Sequence, residues 1–185
     1  KKGYMSNYQT IRSTTILGIR IGKKASMGGD GQVTLGDIQM KSKAIKVRSF
    51  GDGSVLAGFA GAAADAMALF EKFENKLDEM NGNLQKAVVE LAKDWRTDKI
   101  LRELDALLAI MDERNSYILS GSGDVIEPDD RIITIGSGSG YAMAAARAFI
   151  KSGVKDPTAI VKESLKITSD ICIYTNDNIT ILETR

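Results

Sequence analysis

The chain contains no histidine, one cysteine and only two prolines among its 185 residues. Without histidine there is no imidazole for a Ser-His-Asp triad or for an ordinary zinc site. A catalytic base must then be a carboxylate, a lysine or a terminal amine. One thiol excludes a disulfide within the chain, and Cys172, in the apolar run DICIYTN, reads as a packing residue. Neither sign of charge is in excess, with 25 Lys+Arg against 24 Asp+Glu. That balance supplies no field to draw nucleic acid or an anionic membrane surface. No stretch of the sequence reaches the roughly 18 consecutive apolar residues of a membrane span. The opening KKGYMSNYQTIRS lacks the apolar segment of a secretory signal, so a reducing, cytoplasmic location is expected. What is present, 43% apolar and 26% charged residues, is the composition of one globular domain.

Hydrophobic patterning divides the chain into alternating blocks of strands and helices. Thr15–Ile21 is a β-branched strand, and Lys24–Met27 leads into the turn-rich GGDGQVTLGD. Ala44–Phe50 and Ser54–Gly58 are expected as strands joined by a Gly51-Asp52-Gly53 hairpin, giving four strands before any helix. Met67, Phe70, Phe73, Leu77 and Met80 form one apolar face, predicting a helix from about Ala62 to Met80 that Asn81-Gly82-Asn83 breaks. Leu84, Val88, Leu91 and Trp95 form a second face. The spacing continues through Leu101, Leu104 and Leu108, predicting a long helix bent near Thr97. Further strands are expected at Ser116–Ser120, Asp124–Ile126 and Arg131–Ile135, then a helix over Tyr141–Lys151. Another helix opens at Asp156-Pro157, with Asp as N-cap and Pro in the first turn, and Ile171–Tyr174 and Ile179–Leu182 close the chain as strands. Strand runs apolar on both faces, with helices in pairs, predict an α+β layered sandwich in which two sheets meet face to face beneath helices.

Several residues carry chemical possibilities. Thr14 and Thr15 open a strand and are ordinarily strand residues, yet a threonine hydroxyl becomes a nucleophile when its own freed amine takes the proton. Asp30, among glycines, suits either a turn or a catalytic carboxylate. Lys46 lies in the apolar Ala-Ile-Lys-Val, where it either guards a sheet edge or sits buried beside a carboxylate that preserves its charge. The run Gly136-Ser137-Gly138-Ser139-Gly140 lacks both the spacing and the lysine of a phosphate-binding loop, so a nucleotide site is not expected there. A serine at that strand mouth could serve a catalytic site as a polar helper.

Taken in order, TTI at 14–16, GGDGQVTLGD at 28–37, KVR at 46–48, AGFAG at 57–61, ADAMALFEKFE at 64–74, AVVELAKDWRTDK at 87–99 and DICIYTN at 170–176 resemble one family. That family is HslV, the proteasome-like peptidase subunits of bacterial two-component ATP-dependent proteases, of the threonine peptidase type. The likeness runs from Thr14 to Leu182. It implies the four-layer αββα fold of N-terminal-nucleophile hydrolases, and two stacked hexameric rings of this chain. It also implies a hexameric HslU ATPase of the AAA+ class that binds the ATP and threads in unfolded protein.

By the same resemblance, Thr14 is the nucleophile and its freed amine the base. Lys46 lowers the pKa near Thr14, Asp30 orients that lysine, Gly58 donates its N–H to the oxyanion, and Ser137 bonds near the amine. A sodium ion held by the carbonyls of Ser169, Cys172 and Thr175 is implied as well. Residues 1–13 then form a leader or propeptide that must be removed, with 14–185 a single peptidase domain and Met5 a possible true start. Two other readings compete: a noncatalytic, unprocessed scaffold subunit of the same ring, and a small-metabolite amidohydrolase on the same fold.

Overall fold

The computed structural model describes residues 14–185 apart from 62, 100, 102, 103 and 105. The expected leader at 1–13 lies outside these residues, as does the expected helix start at Ala62. Among the described residues, eleven strands and four α-helices follow one another. β1 (Thr15–Ile21), β2 (Lys24–Gly29), β3 (Val33–Leu35), β4 (Ile38–Lys41), β5 (Val47–Phe50) and β6 (Val55–Ala60) precede the helical pair α1 (Ala63–Glu79) and α2 (Leu84–Thr97). Then come β7 (Leu107–Met111), β8 (Ser116–Ser120), β9 (Val125–Ile126) and β10 (Ile132–Gly136), the second pair α3 (Ser139–Lys151) and α4 (Pro157–Ile171), and β11 (Thr180–Glu183).

One sheet has the order β10-β1-β2-β11, a second β5-β6-β7-β8-β9, and β3-β4 form a separate hairpin. Every pairing is antiparallel. Three apolar clusters define the layers. Phe59, Phe73, Leu91, Trp95 and Leu108 join α1 and α2 to the five-stranded sheet. Ile16, Met27, Leu56, Met111 and Ile133 fill the space between the sheets. Leu17, Ile19, Ala142, Ala146, Val161 and Leu165 join α3 and α4 to the four-stranded sheet. Strand β1 shows the cause: its period of two sends Ile16 into the inter-sheet layer and Leu17 and Ile19 to the helices, so both faces are buried. The result is the expected αββα sandwich, in which each fully buried large side chain contributes about 1.5–3 kcal/mol.

Local chemistry sets the helix ends. Asn83 caps α2 by accepting from Lys86 N–H at 3.1 Å, and Asp156 caps α4 by accepting from Thr158 N–H at 3.2 Å with Pro157 following. The expected extension of α2 is not formed. The helix stops at Thr97, and Trp95 Nε1 donates to the carbonyl of Leu101 at 2.9 Å as the chain turns back. Leu108 instead lies in β7, a strand the sequence pattern hides because no glycine or proline interrupts the helical spacing of Leu101, Leu104 and Leu108. Ile171–Tyr174 is likewise no strand: Ile171 ends α4 and Cys172 caps it, its N–H donating to Thr168 O at 2.8 Å. Ala44 and Ile45 precede β5, and Gly51–Gly53 is a single 3-10 turn. With β3 formed inside the glycine-rich stretch and β4 directly after it, six strands rather than four come before α1.

Gly58 shows how closely the sheets approach. Paired with Val47 on one side and Ala109 on the other, it faces the opposite sheet, where a Cβ would lie 2.5 Å from Ile16 Cγ2 and 3.1 Å from Met27 Sδ. Gly58→Ala should therefore destabilise the fold by about 1–3 kcal/mol through overpacking, read as a lower midpoint in chemical denaturation.

Candidate active site

Four strand ends converge at one edge of the sandwich: Thr14 precedes β1, Asp30 follows β2, Lys46 precedes β5 and Ser137 follows β10. Register brings them together. Thr15 pairs with Gly136 and Ile16 with Gly29, so the ends of β10 and β2 flank the start of β1. The carbonyl of Thr14 accepts from Ser137 N–H at 2.8 Å, and Asp30 N–H donates to the carbonyl of Thr15 at 3.2 Å. Thr14 itself is only 4% exposed.

Asp30 is wholly buried and is surrounded by donors. Its Oδ1 accepts from Thr15 N–H at 2.7 Å and from Lys46 Nζ at 3.0 Å, and its Oδ2 from Gln32 N–H at 2.8 Å. Lys46, 9% exposed, donates also to the carbonyl of Gln32 at 2.6 Å. Burial pushes its pKa below the usual 10.5, and the Asp30 charge and hydrogen bond oppose that fall. Of the two readings of Lys46, the buried pair is the one realised. Asp30 bonds its own turn through Gln32, as the turn reading has it, and holds the lysine as well.

Thr14 and Lys46 line one cavity of about 330 Å³ with Val33, Ala44, Ile45, Phe59, Gly61, Met67 and Phe70. Its wall is apolar with cations at the rim, where Arg48 lies over the Phe70 ring at 5.5 Å. Gly58, the expected oxyanion donor, is mid-strand with its α-carbon turned to the inter-sheet layer. The glycine of AGFAG that lines the cavity is Gly61, directly after β6, at φ 152°, a backbone region that side chains rarely adopt. Ser137 is at the site through its backbone N–H, and its side chain is exposed.

The sequence pattern also leaves Thr15, Gln32 and Asn176 unassigned. Thr15 Oγ1 shares a 2.7 Å hydrogen bond with Thr175 Oγ1 and accepts from Gly138 N–H at 3.0 Å. The Ser137 and Gly138 amides of the glycine-rich run are thus spent on Thr14 and Thr15. Gln32 and Asn176 sit within the motifs GDGQ and DICIYTN, but an amide in a loop has no spacing rule that would flag it.

Ser169, Cys172 and Thr175 lie at the C-terminus of α4, where carbonyls run out of intrahelical donors. Thr175 N–H returns to Cys172 O at 3.0 Å and closes a tight turn. Among the described residues no cluster of three His, Cys, Asp or Glu side chains could hold a metal.

Removing one member of the buried pair tests it directly. Asp30→Asn takes the carboxylate charge away from the buried Lys46 ammonium and should cost about 3–5 kcal/mol in denaturant unfolding at neutral pH. A lysine whose folded pKa lies below its unfolded one gives a fold that gains stability as pH rises between the two. The substitution widens that window, so the stability gap between the two proteins should narrow as pH approaches 10.5.

Comparison with known proteins agrees with this geometry. A family model described as "Proteasome subunit" matches residues 11–183. The ATP-dependent protease subunit HslV of Pseudothermotoga lettingae is 58% identical over 172 residues, 93% of this chain and 98% of its own length. The protein of the same name from Thermosipho melanesiensis is 56% identical with the same coverage. Among solved structures, eukaryotic HslV from Trypanosoma brucei superposes with a TM-score of 0.86 at 43% identity, over 91% of this chain and 98% of that one. Thiobacillus denitrificans BPH in complex with epoxomicin, at 16% identity and TM-score 0.74, covers 92% of this chain and 98% of its own and shares the fold. Fold, edge cluster and sequence identity together place the chain in the proteasome family of N-terminal-nucleophile hydrolases, among its HslV members.

Proposed function

We propose that this chain is the threonine endopeptidase subunit of a two-component ATP-dependent protease, with Thr14 as nucleophile once residues 1–13 are removed. The observation that carries the proposal is the placement of Thr14 in one cavity with a buried Lys46–Asp30 pair, in a chain without histidine. The Thr14 hydroxyl adds to the substrate carbonyl carbon while its proton passes to the Thr14 amine. Collapse of the tetrahedral adduct expels the peptide amine, which takes that proton, and water then hydrolyses the ester. Nucleophile and base occupy one residue, so little orientational freedom remains to be lost. The Lys46 charge disfavours a second positive charge nearby and keeps the Thr14 amine neutral.

Gly61, in place of Gly58, is the candidate backbone donor to the oxyanion, and Ser137 supports the nucleophile at the strand mouth. A sodium ion would be held by the carbonyls of Ser169, Cys172 and Thr175, where it would fix the turn after α4. The names of the relatives support an oligomeric protease served by an ATPase, here two stacked six-membered rings with a hexameric HslU partner that binds the ATP and delivers unfolded protein. No described helix is long and apolar enough to cross a membrane, in keeping with a cytoplasmic protease. A scaffold subunit would have no use for a buried Lys–Asp pair beside a threonine.

Intact mass of the purified protein after incubation should show a species beginning at Thr14. Thr14→Ala should abolish hydrolysis of a fluorogenic peptide, with or without the ATPase, while assembly in size-exclusion chromatography is unchanged. Turnover by that variant would remove Thr14 from the mechanism.

A further inference from the structure

Asn176 lies on the loop between α4 and β11, outside the cavity that holds Thr14. Its side chain nevertheless joins the two segments that deliver the catalytic ion pair. Its Oδ1 accepts from Gly31 N–H at 3.1 Å, the residue next to Asp30, and from Asn178 N–H at 3.2 Å within its own loop. Its Nδ2 donates to the carbonyl of Ser42 at 2.9 Å, on the segment that leads from β4 to Lys46. The backbone N–H of Asn176 points to Asp30 Oδ2 at 3.5 Å. A primary amide, with its acceptor and donor on one planar group, can satisfy both segments at once.

The neighbourhood leaves little slack for a substitute. Ala44 N–H donates to Gly31 O at 2.9 Å, which holds the two segments in contact. A Cβ on Gly31 would sit 3.1 Å from Asn178 O, so the Asp30 turn and the Asn176 loop already touch. Gln32 adds a second strut: its Nε2 donates to the carbonyl of Ile173 at 2.8 Å, and its own carbonyl receives Lys46. The loop after α4 is thus bonded to the two residues that follow Asp30 and to the approach to Lys46.

We infer that Asn176 is a positioning residue for peptide hydrolysis, acting through Asp30 and Lys46 by locking the Gly31 and Ser42 segments against each other. This inference rests on the threonine peptidase reading above. Substrate does not touch Asn176 in this scheme, so its loss should slow the chemical step and leave binding intact.

The test is steady-state hydrolysis of a fluorogenic tripeptide amide by the assembled ring beside its ATPase, comparing Asn176→Ala, Asn176→Asp and Asn178→Ala with the parent. In Asn176→Ala kcat should fall about 10- to 100-fold with KM within twofold, because misplacement of catalytic groups by an ångström or less acts on the chemical step. Asn176→Asp keeps the acceptor and the side-chain volume but loses the donor to Ser42 and should fall between that variant and the parent. It supplies the measurement if the alanine variant fails to fold. Asn178→Ala, which keeps the backbone N–H used by Asn176, should retain parental kcat. A kcat within twofold of the parent in a folded Asn176 variant would overturn the inference, as would a rise in KM at constant kcat. Neither result touches the assignment of Thr14, which stands or falls with the inactivity of Thr14→Ala.

Discussion

The Lys46–Asp30 pair is the constraint around which this edge of the molecule is arranged. An ammonium with so little access to water is costly, and a carboxylate with none at all costs as much, so each is tolerable only while the other and its hydrogen bonds are in place. The amides of Thr15 and Gln32, the carbonyl of Gln32 and the two charges themselves all serve that demand. Asp30 follows β2 of one sheet and Lys46 precedes β5 of the other, and so the pair can form only when both sheets are correctly stacked. A feature that contributes little net stability therefore reports the completion of the fold, and it does so beside Thr14.

The layered architecture explains how an edge can carry such a demand. Both sheets are covered by helices and face each other across an apolar layer, leaving the strand ends as the place where polar groups can gather. Most of those ends are short connections, and short connections hold side chains more firmly than long loops do. The same closeness has a cost in sequence freedom. Glycines at 28, 29 and 58 stand where β2 and β6 meet neighbouring layers, and each would place a Cβ within 2.7 Å of a side chain.

Much of this was legible in the sequence, for reasons that differ by element. Strand β1 and helix α1 declare themselves by period, and α4 by its Asp-Pro start. Absence of histidine narrowed the bases to three kinds, and motif order supplied Thr14, Asp30 and Lys46. Strand β7 was hidden because leucines at helical spacing continued past Thr97 without a breaker, and only the turn of the chain at Trp95 separates them. Gly58 and Gly61 share one short motif, and sequence alone does not say which glycine faces a sheet and which faces a cavity. Asn176 was beyond reach because its partners, Gly31 and Ser42, are backbone groups more than a hundred residues away. Backbone partners leave no mark on composition or period.

Chain ends normally fray, and a residue at a new terminus samples many conformations. Thr14 would not behave so after a cut on its N-terminal side. Its carbonyl is held by Ser137, the next N–H is held by Asp30, and Thr15 opens the ladder of a strand with neighbours on both sides. The cut would create an amine without loosening the strand behind it. In mechanical terms Thr14, the proposed nucleophile, would be a fixed tip on a clamped beam. Its stiffness would come from the folded sheet already present.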